Sequence, residues 1–244
     1  MKKPYKFIPP TAGRIEVPYG VRQVATFIYP FKGPGTYNGV GQEVLAGGEL
    51  VPTGDLTAVL LEAACCVPKF KKAPEFVEVR QIMRDSWFWA FQANLWTPNG
   101  VYVRHDSKAE GLELEMDVRT LDKMLKNGTE VNGVRFSKDE TVRFAPKSTY
   151  ELGLHTPKSL ANDGFMVASY GVKGAKRMAR VAGTFDYGIR TFGRDTQAGQ
   201  PPVKGLSAVG DYGGGLDFFG DVGNYLDGFA SRVLKSAPQV RKIQ

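Results

Sequence analysis

Four cations fall on one side of a single candidate helix. Within residues 171–183, Lys173, Lys176, Arg177 and Arg180 recur at i, i+3, i+4 and i+7, while Val172, Ala175, Ala179 and Ala182 recur on the far side. Helical period thus separates a basic face from a small apolar one that can pack closely. A face of that kind suits phosphates or acids. Arg190 and Arg194 extend the patch along the chain, so that residues 173–194 hold six cations against Asp186 alone. Residues 211–227 reverse the sign, with Asp211, Asp217, Asp221 and Asp227 and neither lysine nor arginine. Either the basic block stays free to bind a polyanion, or the two blocks neutralise each other inside the fold.

Candidates for acid–base or metal chemistry are fewer. His105 precedes Asp106 directly, and neighbours in a strand point to opposite faces, so the two couple only if the strand ends near Arg104. His155 stands in a Gly-Leu-His-Thr-Pro loop with no serine or carboxylate at a diagnostic spacing. Glu113, Glu115 and Asp117 alternate and would share one face of an extended segment, which is a solvated face unless it holds a hard cation. Asp217 and Asp221 are one helical turn apart but lack the alternating acids and terminal glutamate of a calcium loop. The sequence contains no nucleophile elbow, His-Glu-x-x-His, Cys-x-x-Cys or Walker loop. No metal and no cofactor are expected. The two cysteines, Cys65 and Cys66, are adjacent and read as buried free thiols rather than a redox or zinc pair.

The elements that must position these residues follow from pattern. Leu56, Val59, Leu60, Ala63, Ala64 and Val67 define a helix from about Asp55 to Cys66, with Thr53 or Asp55 as its cap and Pro68 as its stop. Its entry, Pro-Thr-Gly-Asp, resembles a phosphate-binding helix start, although ordinary capping explains it without a ligand. Residues 37–45 read as a short helix weakened by Gly39 and Gly41, and Asp117 caps another over residues 117–126. Residues 76–82 and 87–96 read as strands, and Asn99-Gly100 turns the second into a hairpin with residues 101–104. Trp87, Trp89 and Phe91 share one face and read as core before they read as base-stacking partners. Residues 134–136 and 141–144 form a second hairpin. Phe165–Tyr170 reads as a buried strand leading through Gly171 into the basic helix, a junction that can aim backbone N–H groups at an anion.

The two ends look different. Six prolines punctuate the first 35 residues, around one strand at residues 21–29, so this part reads as an extended arm. Residues 184–216 are glycine-rich with little periodicity and read as a long loop. Phe218, Val222, Tyr225, Leu226, Phe229 and Val233 then form a stripe that suggests a C-terminal amphipathic helix.

Composition sets the outer limits. The 244 residues, 42% of them apolar, suffice for a sizeable core, and no apolar run approaches the roughly 20 residues needed to span a bilayer. The lysine-rich start lacks the apolar stretch of a signal peptide, which leads to the expectation of a cytoplasmic protein. Net charge is +7. The sequence therefore implies an α+β protein, a mainly antiparallel sheet with helices packed on one face. It divides into an arm over 1–35, a core over 36–183, and a glycine-rich loop with a terminal helix over 184–244. The functional expectation is a non-catalytic binding module for nucleic acid or another polyanion, using Lys173, Lys176, Arg177, Arg180, Arg190 and Arg194. One rival is a structural or assembly protein of a virus or mobile element, associating through its arm or terminal helix. The other is an enzyme built on His105, His155 or the Glu113, Glu115 and Asp117 acids.

Overall fold

The structure, a computed structural model, describes residues 13–20, 23–212, 214–224, 227–234 and 240–242. In chain order its elements begin with β1 (Arg14–Gly20), β2 (Gln23–Gly35), α1 (Tyr37–Ala46), β3 (Glu49–Leu50), α2 (Gly54–Cys66) and α3 (Pro74–Asp85). There follow β4 (Trp87–Thr97), β5 (Gly100–His105), α4 (Val118–Leu125), β6 (Thr129–Val131), β7 (Val134–Phe136), β8 (Val142–Pro146) and β9 (Gly153–His155). The chain continues through α5 (Pro157–Leu160), α6 (Gly164–Ala182), β10 (Ile189–Phe192), β11 (Val203–Tyr212), β12 (Gly215–Val222), β13 (Gly228–Leu234) and β14 (Val240–Lys242).

The fold is α+β with a mixed, mostly antiparallel sheet, as the sequence leads one to expect. Its main path runs β6-β7-β8-β5-β4-β11-β12-β10-β9, and β13 joins it to a second ladder containing β1, β2, β3 and β14. Among the described residues only the β10–β12 and β13–β4 pairings are parallel. Strand β4 is central, and alternation along it feeds two separate cores. Phe88 and Trp96 face a cluster that includes α2, α3 and α6, whereas Trp89, Phe91, Ala93 and Leu95 face one built with α1 and α4. Helices thus cover both faces of β4, not one. Trp89 and Phe91 are fully buried, which assigns these aromatics to packing.

Several elements form for the reasons their residues suggest. Thr53 caps α2 by accepting from the Leu56 amide, and Leu60 and Leu61 are completely buried. Asp117 caps α4, where Leu121 and Leu125 are buried. The hairpins β4–β5 and β7–β8 pair antiparallel as expected.

Four expectations are corrected. Residues 76–82 lie in α3, not in a strand; Pro74 starts the helix, and Phe76, Val79, Ile82 and Met83 are buried at helical spacing. Phe165–Tyr170 is also helical, because Asp163 caps α6 and every residue from Gly164 to Tyr170 is buried. A short run buried all round shows no period by which helix and strand could be told apart. The expected loop over 184–216 contains β10 and β11, and the expected terminal helix is β12 and β13, with Tyr225 and Leu226 outside the described residues. Glycines at these places permit close strand approach: a Cβ on Gly205 would lie 2.5 Å from the Gly220 carbonyl oxygen, and one on Gly220 would lie 2.7 Å from the Trp96 ring. Strand β13 pairs with β2, β3 and β4, which ties strands from both ends of the described chain into the sheet. The first 12 residues of the expected arm lie outside the described residues, and residues 14–35 form two paired strands.

Candidate functional site

The residues of the basic block have unlike fates. Arg177 is buried, not solvent-facing as the helical wheel suggests: its guanidinium bonds Asp55 (3.2 Å), Glu62 (3.1 Å) and the Tyr19 carbonyl, and stacks over the Tyr19 ring. Arg180 shares Glu62 at 2.5 Å but remains more than half exposed. Asp55 and Glu62 stand seven residues apart on α2, flanking its apolar stripe, and α2 packs directly on α6. That spacing, two turns along one helix edge, was the available signal for this seam. Arg190 lies opposite Asp217 across the β10–β12 ladder, and Arg194 pairs with Asp221 at 3.4 Å. Burial pushes both aspartates above the usual carboxylate range, with the facing arginines pulling back. The basic and acidic blocks thus meet in part, the second of the two outcomes above. Lys173 and Lys176 are exposed and make no ion pair among the described residues.

The acid–base candidates do not assemble. His105 Nδ1 donates to the Phe91 carbonyl at 3.1 Å, and burial holds the ring below its ordinary pKa, so the imidazole is neutral at pH 7. Asp106 turns away, accepting from the Tyr37 hydroxyl and from the Glu110 and Gly111 amides. It shapes a turn. His155 contacts the Thr191 hydroxyl (2.9 Å) and the Glu151 carbonyl (3.0 Å) at the β9–β10 edge. Glu113, Glu115 and Asp117 are exposed between buried Leu114 and Met116, and no cluster of metal-ligating side chains occurs among the described residues. Burial lifts the Cys65 thiol to about 12 and the Cys66 thiol to about 11, which keeps both protonated and poor nucleophiles.

The structure instead draws attention to a cleft of about 440 Å³ between the start of α2, the middle of α6 and the β7–β8 hairpin. Its central feature is Gly171, which breaks α6 with φ 71° and ψ 166°, a region open in practice only to glycine. The sequence reads this junction as strand passing into helix, whereas helix lies on both sides of Gly171. Thr53, Gly54 and Asp55 bring the start of α2 to the cleft, and Val172 and Lys173 bring the restarted half of α6. Gly54 permits that meeting, since a Cβ there would lie 2.1 Å from the Ser169 carbonyl oxygen.

The floor is polar and incompletely satisfied. Gln92, 3% exposed, comes from β4, and its amide nitrogen donates to the Ser169 carbonyl; its Oε1 is buried and has no hydrogen-bond partner. Arg143, from β8, donates through Nη1 to the Ala168 carbonyl (3.1 Å) and more weakly to that of Ser169 (3.5 Å), while its Nε is buried without a partner. Both side chains therefore converge on one carbonyl. The guanidinium also lies over the Phe136 ring, and burial lowers its pKa. At the rim, Glu140 approaches Arg143 at 3.7 Å, and Asp139 is consumed locally by Ser137 and Thr141. Tyr19 is held as a neutral phenol, its pKa pushed up to about 12 by burial and by its bond to Asp55. Nothing in the sequence marked Gln92 or Arg143, because neither spacing nor motif links β4, β8 and α6. A larger hollow, of about 650 Å³, is lined mainly by exposed side chains of α4 and β6, with its Arg135 already paired to Asp122 at 3.3 Å.

No protein-family model and no curated protein matches the chain. Among solved structures it is similar to a chain described as "Accommodation of massive sequence variation in Nanoarchaeota by the C-type lectin fold", with 12% identity over 92% of this chain and 98% of that one and a TM-score of 0.46.

Proposed function

We propose that this chain is a non-catalytic binding protein whose ligand is a small polar molecule seated in the cleft at Gly171. The observation that carries this reading is a cleft of about 440 Å³ lined by polar and charged side chains, among them Thr53, Gln92, Glu140, Arg143 and Lys173. The test is a thermal-shift screen of small polar compounds against the wild type and Val131→Trp, a bulky change at a cleft-lining position that is 40% exposed. Compounds that stabilise the wild type and not the variant support the reading. Compounds that stabilise both equally bind elsewhere and overturn it.

Nucleic-acid binding is the second reading, and it rests on Lys173 and Lys176, which are exposed without ion pairs. Arg177 leaves this surface because its charge is already spent on Asp55 and Glu62. If both lysines contact phosphates of duplex DNA, Lys173→Gln with Lys176→Gln makes the slope of log affinity against log salt shallower by about 2. An oligonucleotide titration at several salt concentrations measures it, and no wild-type binding near 50 mM salt, about where such contacts are strong, rejects this reading.

A further inference from the structure

We infer that the hollow between α4 and the β6–β7 hairpin is a second binding site, one that takes an oligophosphate, a short chain of linked phosphate groups. The inference does not depend on the cleft, with which the hollow shares, among the described residues, only Thr129. Its volume is about 650 Å³, and four cations line it: Arg119, Lys123 and Lys126 along α4 and its C-terminal cap, and Arg135 from β7. Two acids accompany them, and both are set against Arg135. Asp122 pairs with the Arg135 guanidinium at 3.3 Å and accepts from the Tyr102 hydroxyl at 3.1 Å, while Glu130 stands opposite Arg135 across the β6–β7 ladder. Arg119, Lys123 and Lys126 are exposed and make no ion pair among the described residues.

These three cations recur at i, i+4 and i+7, which places them on one face of α4, opposite the buried Leu121 and Leu125. The helix itself does not account for the row. Lys123 and Lys126 stand at its C-terminal end, where the helix dipole favours cations, but Arg119 stands in the first turn, where the dipole disfavours them. The charged neighbour of Arg119 among the described residues is the capping carboxylate of Asp117, which already accepts from the Thr120 amide at 2.8 Å. Seven residues of helix rise about 10 Å, more than one phosphate group covers, so a ligand that meets all three cations carries its anionic oxygens along a chain. Linked phosphates do so, with several acceptors on each group for arginine and lysine donors. The hollow has the size of a small-ligand site.

The experiment is calorimetric titration of the full chain at about 50 mM salt, where phosphate contacts are strong, with tripolyphosphate, ATP, orthophosphate and a single-stranded oligonucleotide. We expect tripolyphosphate to bind, and orthophosphate to bind about tenfold or more weakly because it loses at least one charge-assisted contact. ATP distinguishes the source: affinity equal to that of tripolyphosphate assigns recognition to the phosphates alone, and higher affinity adds the nucleoside. Arg119→Gln with Lys123→Gln should weaken tripolyphosphate about tenfold or more, whereas Lys173→Gln with Lys176→Gln, which removes the same net charge elsewhere, should leave it unchanged. All four positions are exposed, so neither double variant threatens folding. Glu130→Gln removes an acid from the lining and should tighten binding. Equal weakening by the two double variants reduces the effect to net charge and overturns the site. Orthophosphate binding as tightly as tripolyphosphate overturns the match to a chain of phosphates. An oligonucleotide that binds more tightly than tripolyphosphate, with the same sensitivity to Arg119→Gln and Lys123→Gln, makes the hollow part of a nucleic-acid surface and overturns the oligophosphate. Absence of tripolyphosphate binding up to about 1 mM overturns the inference, while the cleft is decided by its own screen.

Discussion

The seam between α2 and α6 and the cleft at the kink of α6 are built from the same helix pair, yet they treat polar groups in opposite ways. In the seam every buried charge has its counterpart: Arg177 spans Asp55, Glu62 and the Tyr19 carbonyl, and Arg180 closes on the outer oxygen of Glu62. In the cleft, one helical turn away, Gln92 Oε1 and Arg143 Nε are buried with no partner. A closed network in a low-dielectric interior stabilises its members mutually, whereas a buried polar atom without a partner carries a desolvation cost that nothing offsets. The cations that the sequence groups together are therefore of two kinds: Arg177, Arg180 and Arg194 are paired, whereas Lys173 and Lys176 make no ion pair among the described residues.

The largest test of this contrast is Arg177→Gln. Removing the guanidinium leaves partly buried Asp55 without its ion-pair partner and Glu62 with Arg180 alone, and the expected loss is about 3–5 kcal/mol in urea denaturation. Lys176→Gln, its neighbour in sequence, should change stability by less than about 0.5 kcal/mol. Equal effects at the two positions would erase the distinction between seam and free surface. Leu60→Ala tests the apolar part of α2, where the side chain is completely buried, with an expected loss of about 2–5 kcal/mol. A loss on the scale of a surface change would mean that α2 does not pack as described.

Gly171→Ala probes the kink. A Cβ there meets only ordinary contacts with the Arg143 guanidinium, at 3.6–3.9 Å, so the strain comes from φ and ψ, and about 1–3 kcal/mol of destabilisation is expected. Unchanged stability together with unchanged ligand binding would show that α6 runs straight through this point.

The smallest effect concerns His105 on the cleft wall. Its folded pKa lies below the ordinary 6.5 because burial disfavours the imidazolium. A depressed folded pKa contributes stability that is fully present above the unfolded value and lost as pH falls below it. Wild-type protein should therefore lose more stability than His105→Gln as pH falls from 6.5 toward 5, read from urea midpoints at each pH. Parallel curves for the two proteins would place His105 in a solvated setting.

Much of the framework was legible because local rules sufficed. The helix at residues 54–66 has an apolar stripe, a threonine cap and a proline stop; the helix after Asp117 has its cap; and Asn99-Gly100 turns β4 into β5. The C-terminal stretch was misread for an equally physical reason. Phe218, Val222, Phe229 and Val233 match a helical stripe, but Gly220 and Gly228 sit where the Trp87, Trp89 and Trp96 rings and the Phe165 ring approach too closely for a Cβ. Their purpose is visible only once those rings are in place.

By itself the sequence determined the α+β class, the capped helices and the hairpins. Each follows from spacing over a few residues and from the conformational limits of glycine, proline and the capping side chains. Tertiary structure alone decided which cations are free, because Arg177 meets Asp55 across 122 residues of chain and Gln92 meets Ser169 across 77. Charge neutralisation and an unmet hydrogen bond are properties of neighbours in space. No periodicity along one chain can state them.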